Sequence, residues 1–415
     1  MRWLLAHDPN SNLNCKGSGV SYVAEHSPIP NPMILRKERI RGSLQIKIRK
    51  GLDLPMAGRP EQVPYDGPAL QSVALCGRDF GGIRPKMVVR EGDRVKLGET
   101  LFADRRNPDI RFISPGSGIV EAIHYGPRRV FQSIVIRLEG LEGDDEITFR
   151  AYPKQDLLSL SRRAVKENLL ASGLWAALRT RPYGRIPITD TEPRAIFVAA
   201  VDTNPLAADA GIIVDEYKAD FLDGLRVISR LTEGTVYLCQ GADMADMATW
   251  ELGIPRLKVV RFEGPHPAGL VGTHIHFLDP VSARKTVWHL NYQDVIAIGR
   301  LFRTGRLSVE RIIALGGPCV KRPRLLRTRL GANTEDLVTG ELDLPPRTSP
   351  PSNLDLGPLE VHSREQNRVL VTWGVGPPAP EADRPRRCEA VCGCTPFATS
   401  RLEPWLPTTC RRSLH

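Results

Sequence analysis

The sequence has no long apolar run: none approaches the ~18 residues that a membrane-spanning helix needs. The first apolar stretch ends at His7, which is too short for the core of a secretory signal peptide. We therefore expect a cytoplasmic protein, and a peripheral position on a membrane complex stays open.

Cysteine and aromatic residues are also scarce, and neither is arranged in a recognisable motif. Four cysteines are isolated, as in a reducing compartment: Cys15, Cys76, Cys239 and Cys319. The other four have a spacing that matches no zinc knuckle or ribbon: Cys388, Cys392, Cys394 and Cys410. Aromatic residues make up 6% of the chain and do not interleave with the basic ones, so the net charge of +10 indicates an anionic partner surface and not a nucleic-acid groove.

Nucleotide-binding motifs are missing from a region where the fold would otherwise suit them. Residues 194–261 alternate strand and helix patterns as βαβαβ, with a continuous apolar first strand at 194–201 and a helix predicted over 242–252. The loop after the first strand begins at Asp202 and contains neither Gly-x-Gly-x-x-Gly nor a Walker Gly-Lys. Because Asp202 would also repel a pyrophosphate, we expect no dinucleotide and no flavin on this chain.

Residues 46–140 read as short strands separated by turns, which predicts a β-sandwich resembling the biotinyl/lipoyl-carrier fold. The turn pairs at Gly92-Asp93 and Gly98-Glu99 separate apolar strand residues. Such carriers present a lysine at a hairpin tip, but the tip at 104–108 has none. Arg105 and Arg106 lack the nucleophilic amine, so only the fold carries over.

The whole chain is predicted to be an α/β multidomain protein. Further helices are expected over 157–180 and 291–304, and Gly305 is expected to cap the second of these. The predicted parts are a disordered extension (1–45), the β-sandwich (46–140), a Rossmann-like α/β domain with a histidine-rich crossing (141–305), the start of a β-grasp domain (306–342) and a disordered or out-of-frame tail (343–415).

The two ends differ in composition from the middle. Residues 1–45 are polar and turn-rich, which indicates an extension or a misplaced start codon. The tail from 343 is rich in proline and arginine and lacks lysine, which is typical of an out-of-frame reading. The β-grasp begun at 311 is expected to stay incomplete, and the strand-like 368–374 could add to the open edge left by 324–329.

The stretch from Gly264 to Tyr292 holds four of the nine histidines: His266, His274, His276 and His289. We read 274–278 as a short strand, which would put His274 and His276 on one face. A His-x-His pair can begin a metal site, but no further ligand lies at a suitable spacing. We therefore expect no metal here and keep a metal-dependent hydrolase only as a remote alternative.

Residues 46–342 resemble the A subunit of the bacterial Na+-translocating NADH:quinone reductases. The resemblance lies in six runs: I-K-I-R-K-G-L-D-L-P-M-A-G (46–58), S-G-L-W-A-A-L-R-T-R-P (172–182), D-T-N-P-L-A-A-D (202–209), G-P-H-P-A-G-L-V-G-T-H-I-H-F-L-D-P-V (264–281), W-H-L-N-Y-Q-D-V-I-A-I-G (288–299) and P-R-L-L-R-T-R-L-G-A (323–332).

This resemblance implies a peripheral subunit on the cytoplasmic face of the inner membrane, within a six-subunit complex. NADH, flavins and an iron–sulfur centre would belong to partner subunits, and ubiquinone would be the substrate. The resemblance also implies a fold like that of the flavin subunit of respiratory complex I. Residues 173–177 (Gly-Leu-Trp-Ala-Ala) occupy the place of its glycine-rich flavin loop without a comparable run of glycines, so this chain would have lost the redox groups.

Two roles follow from the resemblance, namely quinone binding and pure assembly of the complex. A quinone site needs an apolar or aromatic wall with a few polar donors. The first candidates are Trp175, Arg179, Arg181 and Tyr183, which occupy the vacated flavin position. The second candidates, as donors near neutral pH, are His266, His274 and His276.

Overall fold

The computed structural model describes residues 34–40, 43–139, 145–245, 247, 253–343, 356–364 and 368–375, with the backbone alone for 34–40, 356–364 and 368–375. The described residues all lie within one compact unit of the chain. Among them, no helix is long and apolar enough to cross a membrane.

The N-terminal part of the described chain is built from strands. These are β1 (Ile34–Ile40), β2 (Ser43–Ile48), β3 (Glu61–Asp66), β4 (Ser72–Cys76), β5 (Pro85–Met87), β6 (Arg94–Val95), β7 (Thr100–Asp104), β8 (Arg111–Ile113), β9 (Gly118–Tyr125) and β10 (Phe131–Leu138). One sheet has the order β4-β10-β9-β6 and a second has the order β5-β7-β8. The expected turns are present, since Gly92 and Gly98 take left-handed φ values of 89° and 84° that favour glycine.

The middle of the chain forms a mixed α/β region around a seven-stranded sheet. Its elements are α1 (Arg162–Ala171), β11 (Arg179–Arg181), β12 (Ala195–Ala200), α2 (Ala210–Glu216), α3 (Lys218–Ile228), β13 (Thr235–Gly241), β14 (Leu257–Glu263), α4 (Val271–Leu278), β15 (Val287–Asn291) and α5 (Tyr292–Thr304). The sheet order is β1-β2-β14-β13-β12-β15-β11. The strands from β2 to β15 in this order run parallel, which explains the apolar character of β12.

Helices α3 and α5 cross closely because each presents a glycine at the contact. A Cβ on Gly224 would lie 2.0 Å from the carbonyl oxygen of Val295, and one on Gly299 would lie 1.8 Å from that of Asp220. Helix α5 ends at Gly305, whose φ of 71° is left-handed, so the predicted cap is confirmed.

The last sheet contains segments from both ends of the described chain. Its C-terminal elements are β16 (Glu310–Gly316), β17 (Arg324–Arg329), α6 (Thr334–Val338), β18 (Leu356–Arg364) and β19 (Arg368–Val375). The strand order is β18-β19-β16-β17-β3. The expected strand at 368–374 is present, but it pairs with β16, because β3 already occupies the edge of β17. The prediction that no further strands follow 342 is therefore wrong for β18 and β19.

Helix α5 also attaches the last sheet to the α/β region. The side-chain amide of Gln293 donates to the carbonyl oxygen of Ile312 at 2.8 Å and accepts from its N–H at 3.0 Å. Beside it, Asp294 pairs with Arg311 at 2.9 Å, and both side chains are almost fully buried. Burial raises the pKa of Asp294, against the opposing effect of the Arg311 guanidinium.

Three predicted segments differ from the structure. Strand β1 lies inside 1–45, so the prediction of disorder is wrong for residues 34–40, which pair antiparallel with β2. Residues 1–33 and most of the helix predicted over 242–252 lie outside the described residues. The helix predicted over 157–180 is shorter: α1 begins after its N-cap Ser161 and ends before Gly173, whose φ of 70° is left-handed.

The predicted strand at 274–278 is instead part of helix α4. Val271, Ile275 and Leu278 recur at helical spacing and pack into one apolar cluster with Ile46 and Phe262. The run is too short for its sequence pattern to distinguish a helix from a strand. Its burial in this cluster therefore decides the conformation. Since helical residues two apart lie about 200° apart around the axis, His274 and His276 do not share a face.

Candidate functional site

The first candidate residues lie on a short edge strand and the bend that follows it. Strand β11 pairs antiparallel with β15, with Arg179 opposite His289 and Thr180 opposite Trp288. Successive residues of a strand point to opposite faces, so Arg179 and His289 lie on one face and Thr180 and Trp288 on the other.

Trp175 belongs to the core and not to an accessible wall. Its indole is 2% exposed and packs edge-on against Trp288, with the ring centroids 5.4 Å apart. Its Nε1–H donates to the carbonyl oxygen of Pro187 at 2.9 Å. The bond holds the bend after β11 against the body of the α/β region, so Trp175 positions that bend.

Arg179 is likewise buried, and backbone groups occupy its guanidinium. It donates to the carbonyl oxygens of Ala176, of Leu178 at 3.0 Å and of Asp79 at 3.1 Å. Among the described residues no carboxylate forms an ion pair with it. The contact to Asp79 reaches into the β-sandwich, so Arg179 connects two parts of the fold.

Arg181 is half-buried and fixes the state of a buried histidine. Its Nε–H donates to Nε2 of His289 at 3.1 Å, which makes that ring nitrogen an acceptor and leaves the proton of a neutral imidazole on Nδ1. Burial lowers the pKa of His289 well below its usual range, and the charges of Arg181 and Arg179 lower it further. His289 is thus a neutral imidazole inside the sheet.

Tyr183 is the one first candidate that is widely exposed, at 73%. Its φ of 52° turns the chain sharply away from β11. It lines a cavity of about 970 Å³ next to the bend. The lining is apolar at Ile186, Ile188 and Pro193, basic at Arg185, Arg194, Arg284 and Lys285, polar at Thr180, Thr191 and Thr286, and acidic at Glu192.

The three histidines of the second candidate set do not meet. His274 is fully buried against Phe262 and shares a hydrogen bond of 2.9 Å with the carbonyl oxygen of Ala268. Burial lowers its pKa to about 4. His276 is exposed on another face of α4. His266 lies after β14, with Nδ1 3.2 Å from the hydroxyl of Thr203.

No metal centre is assembled by these residues within the described part of the chain, where no group of three His, Cys, Asp or Glu side chains could hold an ion. The geometry that would have begun one is also missing, because His274 and His276 do not share a face. The expectation that this chain holds no metal stays a prediction for elemental analysis.

Sequence reasoning missed the residues that complete the cavity. Arg284 and Lys285 lie in the histidine-rich stretch, but they reach Tyr183 only because β15 follows them and pairs with β11. His289 was counted in the histidine-rich stretch, but the sequence assigned it no role. An antiparallel pairing between distant segments was the missing information, and no local pattern specifies it.

Comparison with known proteins identifies each folded part. Residues 46–139 match a family model described as the NqrA N-terminal barrel-sandwich hybrid domain, and 160–307 match the NqrA second alpha/beta domain. Residues 312–345 match a model described as the NQRA C-terminal domain. A barrel-sandwich domain followed by a second α/β domain is thus confirmed.

Curated relatives are similar over the same region. The chain is 56% identical over 297 residues to the A subunit of the Na(+)-translocating NADH-quinone reductase from Neisseria meningitidis serogroup B, covering 72% of this chain and 65% of the relative. It is 54% identical to the same subunit from Histophilus somni strain 2336, with the same coverage. The chain therefore spans about 65% of the length of the curated relatives that it matches.

Among solved structures, one similar chain belongs to an NAD+-reducing nickel–iron hydrogenase in its H2-reduced state. It is 14% identical, with a TM-score of 0.32, over 48% of this chain and 45% of the other. A similarity at this level supports no inference.

Proposed function

This chain belongs to the NqrA family, and from that membership we propose that it acts as a peripheral subunit of a Na+-translocating NADH:quinone reductase. In this role it supports the reduction of ubiquinone to ubiquinol coupled to Na+ export, on the cytoplasmic face of the inner membrane. NADH, the flavins and the iron–sulfur centre then belong to the other five subunits, while this chain binds none of them. The names of the relatives support the proposal.

Within this role, we propose that the cavity beside Tyr183 receives the quinone head group. Its volume of about 970 Å³ lies in the range of small-molecule sites, about 300–1,000 Å³. Tyr183 and Ile188 offer apolar surface at its mouth, and both are mostly exposed. The single observation that carries the proposal is this exposed aromatic residue beside a basic cavity.

The chemistry of the lining suits a quinone. A quinone presents two carbonyl oxygens that accept hydrogen bonds, and the guanidinium groups of Arg185, Arg194 and Arg284 supply several N–H donors each. The same cations would stabilise negative charge that develops on those oxygens during reduction. These residues bind and orient the quinone, while electrons come from partner subunits.

The proposed site keeps only part of the original candidate set. Tyr183 lines the cavity, whereas Arg181 is not among the lining residues and donates a hydrogen bond to His289 instead. Trp175 and Arg179 act indirectly: Trp175 holds the bend in place through Pro187, and Arg179 holds the α/β region against the β-sandwich through Asp79. His266, His274 and His276 do not line this cavity, and the separation of His274 from His276 removes the geometric basis for a hydrolase.

Arg284→Gln in the assembled complex tests the site, because Arg284 is exposed and its loss should leave the fold intact. We expect the KM for ubiquinone to rise about tenfold, as for one lost charged hydrogen bond of ~1.4 kcal/mol. Electron transfer from NADH to an artificial acceptor should not change. Arg163→Gln, an exposed arginine on α1, is the matched control.

The second candidate function is a purely structural assembly role. The burial of Trp175 and Arg179 supports it, because side chains buried within this chain stabilise its fold and are not accessible to a quinone. If Arg284→Gln and the control give the same KM in a fully assembled complex, the assembly role replaces the quinone role.

A further inference from the structure

A second basic surface lies in the β-sandwich, away from the residues considered so far. An open groove of about 1650 Å³ runs between the segment 76–87 and the hairpin of β9 and β10. Its lining includes six basic side chains: Arg78, Arg84, Lys86, Arg105, Arg128 and Arg129. None of its lining residues is an aspartate or glutamate, although this domain carries carboxylates elsewhere.

The other end of the same domain shows how its cations are normally neutralised. There Arg137 pairs with Glu139 at 2.9 Å and Lys96 pairs with Asp145 at 2.8 Å. Within the described residues, by contrast, no ion pair joins a carboxylate to Arg84, Lys86 or Arg105. The groove therefore concentrates positive charge, and the fold does not neutralise these three cations with ion pairs.

The carboxylate of Asp104 lies close by, but it is used to shape the backbone. Asp104 is buried and accepts from the N–H of Arg84 at 3.0 Å and of Arg106 at 3.3 Å. The N–H of Arg105 donates to the carbonyl oxygen of Arg84 at 2.8 Å. These backbone bonds hold the two basic segments side by side, so their basic side chains project from neighbouring positions.

The tip of the β9–β10 hairpin adds exposed apolar surface to this charge. Val130 is 63% exposed and Tyr125 is 44% exposed. Arg128 and Arg129 lie between them with left-handed φ values of 57° and 56°. The guanidinium of Arg129 lies over the Tyr125 ring, 6.0 Å from its centroid. An aromatic and an aliphatic side chain flanked by arginines is the composition of segments that lie at a membrane interface.

We propose that this groove and hairpin tip form a docking surface for an anionic phospholipid membrane. Lipid phosphates occupy the groove, while Tyr125 and Val130 enter the headgroup layer. A membrane is favoured over a folded acidic partner because exposed Val130 and Tyr125 lie at a hairpin tip beside cations, an arrangement that suits shallow insertion into an anionic headgroup layer. The proposal is independent of the quinone cavity.

The test is cosedimentation of the purified full chain with vesicles of phosphatidylcholine, with and without phosphatidylglycerol. Binding should require the anionic lipid and weaken with added salt, because the Debye length falls to ~3 Å at 1 M. Arg128→Gln with Arg129→Gln should weaken binding about 25-fold, at about fivefold for each arginine near the surface. Lys154→Gln with Arg163→Gln removes the same charge from exposed positions outside the groove and is the matched control.

A third variant separates the contribution of apolar insertion to membrane binding from the contribution of charge. Val130→Ser keeps every cation and removes exposed apolar surface, so it should weaken binding less, on the order of threefold. Its fold should be unaffected, which circular dichroism checks.

Three results would overturn the proposal. One is equal binding to neutral and anionic vesicles. Another is an equal loss in the control and the groove variant. The third is binding to soluble polyglutamate, lost in the groove variant, without any vesicle binding, which would assign the groove to an acidic protein partner.

Discussion

Two halves of one short run, residues 174–188, carry similar residue types and do opposite things. In the first half, Trp175 and Arg179 are buried and their polar groups bind backbone carbonyls. In the second half, Tyr183 and Arg185 are exposed beside a cavity. An aromatic–arginine pair stabilises the fold in the first half and forms a candidate ligand-binding surface in the second.

The comparison shows that burial, not residue type, separates binding residues from positioning residues here. A guanidinium that already donates to three carbonyl oxygens has little capacity left for a ligand, whereas an exposed one keeps its donors. Changes in the buried half should therefore act on stability, and changes in the exposed half should act on binding.

The largest expected effect is in the buried half. Trp175→Ala should lower the free energy of unfolding by about 3–5 kcal/mol, because it opens a cavity beside Trp288 and leaves the Pro187 carbonyl without its donor. Chemical denaturation measures it. Tyr183→Ala is the control from the exposed half. A decrease in its free energy of unfolding as large as that of Trp175→Ala would contradict the claim that burial separates the two halves.

The next effect concerns the pH dependence of stability, because the buried face of helix α4 also excludes charge. The pKa of His274 falls to about 4 in the folded chain from about 6.5 in an unfolded one. The unfolded chain then binds the extra proton between these values, so stability should fall as pH drops from 6.5 to 4. The loss at the acid end should be about 3 kcal/mol.

His274→Gln should flatten this part of the stability–pH curve, because it removes one titrating group from the buried region. Denaturation midpoints measured at several pH values check the slope. His276→Gln, on the exposed side of the same helix, should leave the slope unchanged. If stability changes equally steeply with pH in the wild type and in both variants, His274 does not control the loss of stability at acid pH.

A smaller effect is expected for Arg179→Met, which keeps much of the apolar stem and removes the charge. Loss of its bonds to Asp79 and Leu178 should cost about 2 kcal/mol of stability. Limited proteolysis should then release the β-sandwich more readily from the α/β region. Arg185→Met, in the exposed half, should change stability by less than about 0.5 kcal/mol.

The sequence predicted the elements whose patterns are local. Strand β12 is a continuous apolar run, and α5 combines a helical face with Gly305, so both were found in place. Helix α4 was misread because eight residues with two histidines fit a strand or a helix equally well, and packing against Ile46 and Phe262 decides between them.

The site was harder to predict for a related reason. Tyr183 was identified as a candidate, but Trp175 and Arg179 were grouped with it because burial cannot be read from an arginine–aromatic pattern. Arg284 joined the cavity through the pairing of β11 with β15, which connects residues more than a hundred positions apart. Contacts of that kind depend on the complete fold.

The most direct test of the account is the affinity of the purified chain for a short-chain ubiquinone analogue, compared between Tyr183→Ala and Trp175→Phe. Tyr183→Ala should weaken binding about tenfold at unchanged stability, for a loss of ~1.4 kcal/mol of contact. Trp175→Phe should lower stability and leave the affinity of the folded chain unchanged. The reverse pattern, with affinity lost only in Trp175→Phe, would contradict the assignment of the quinone to the exposed half.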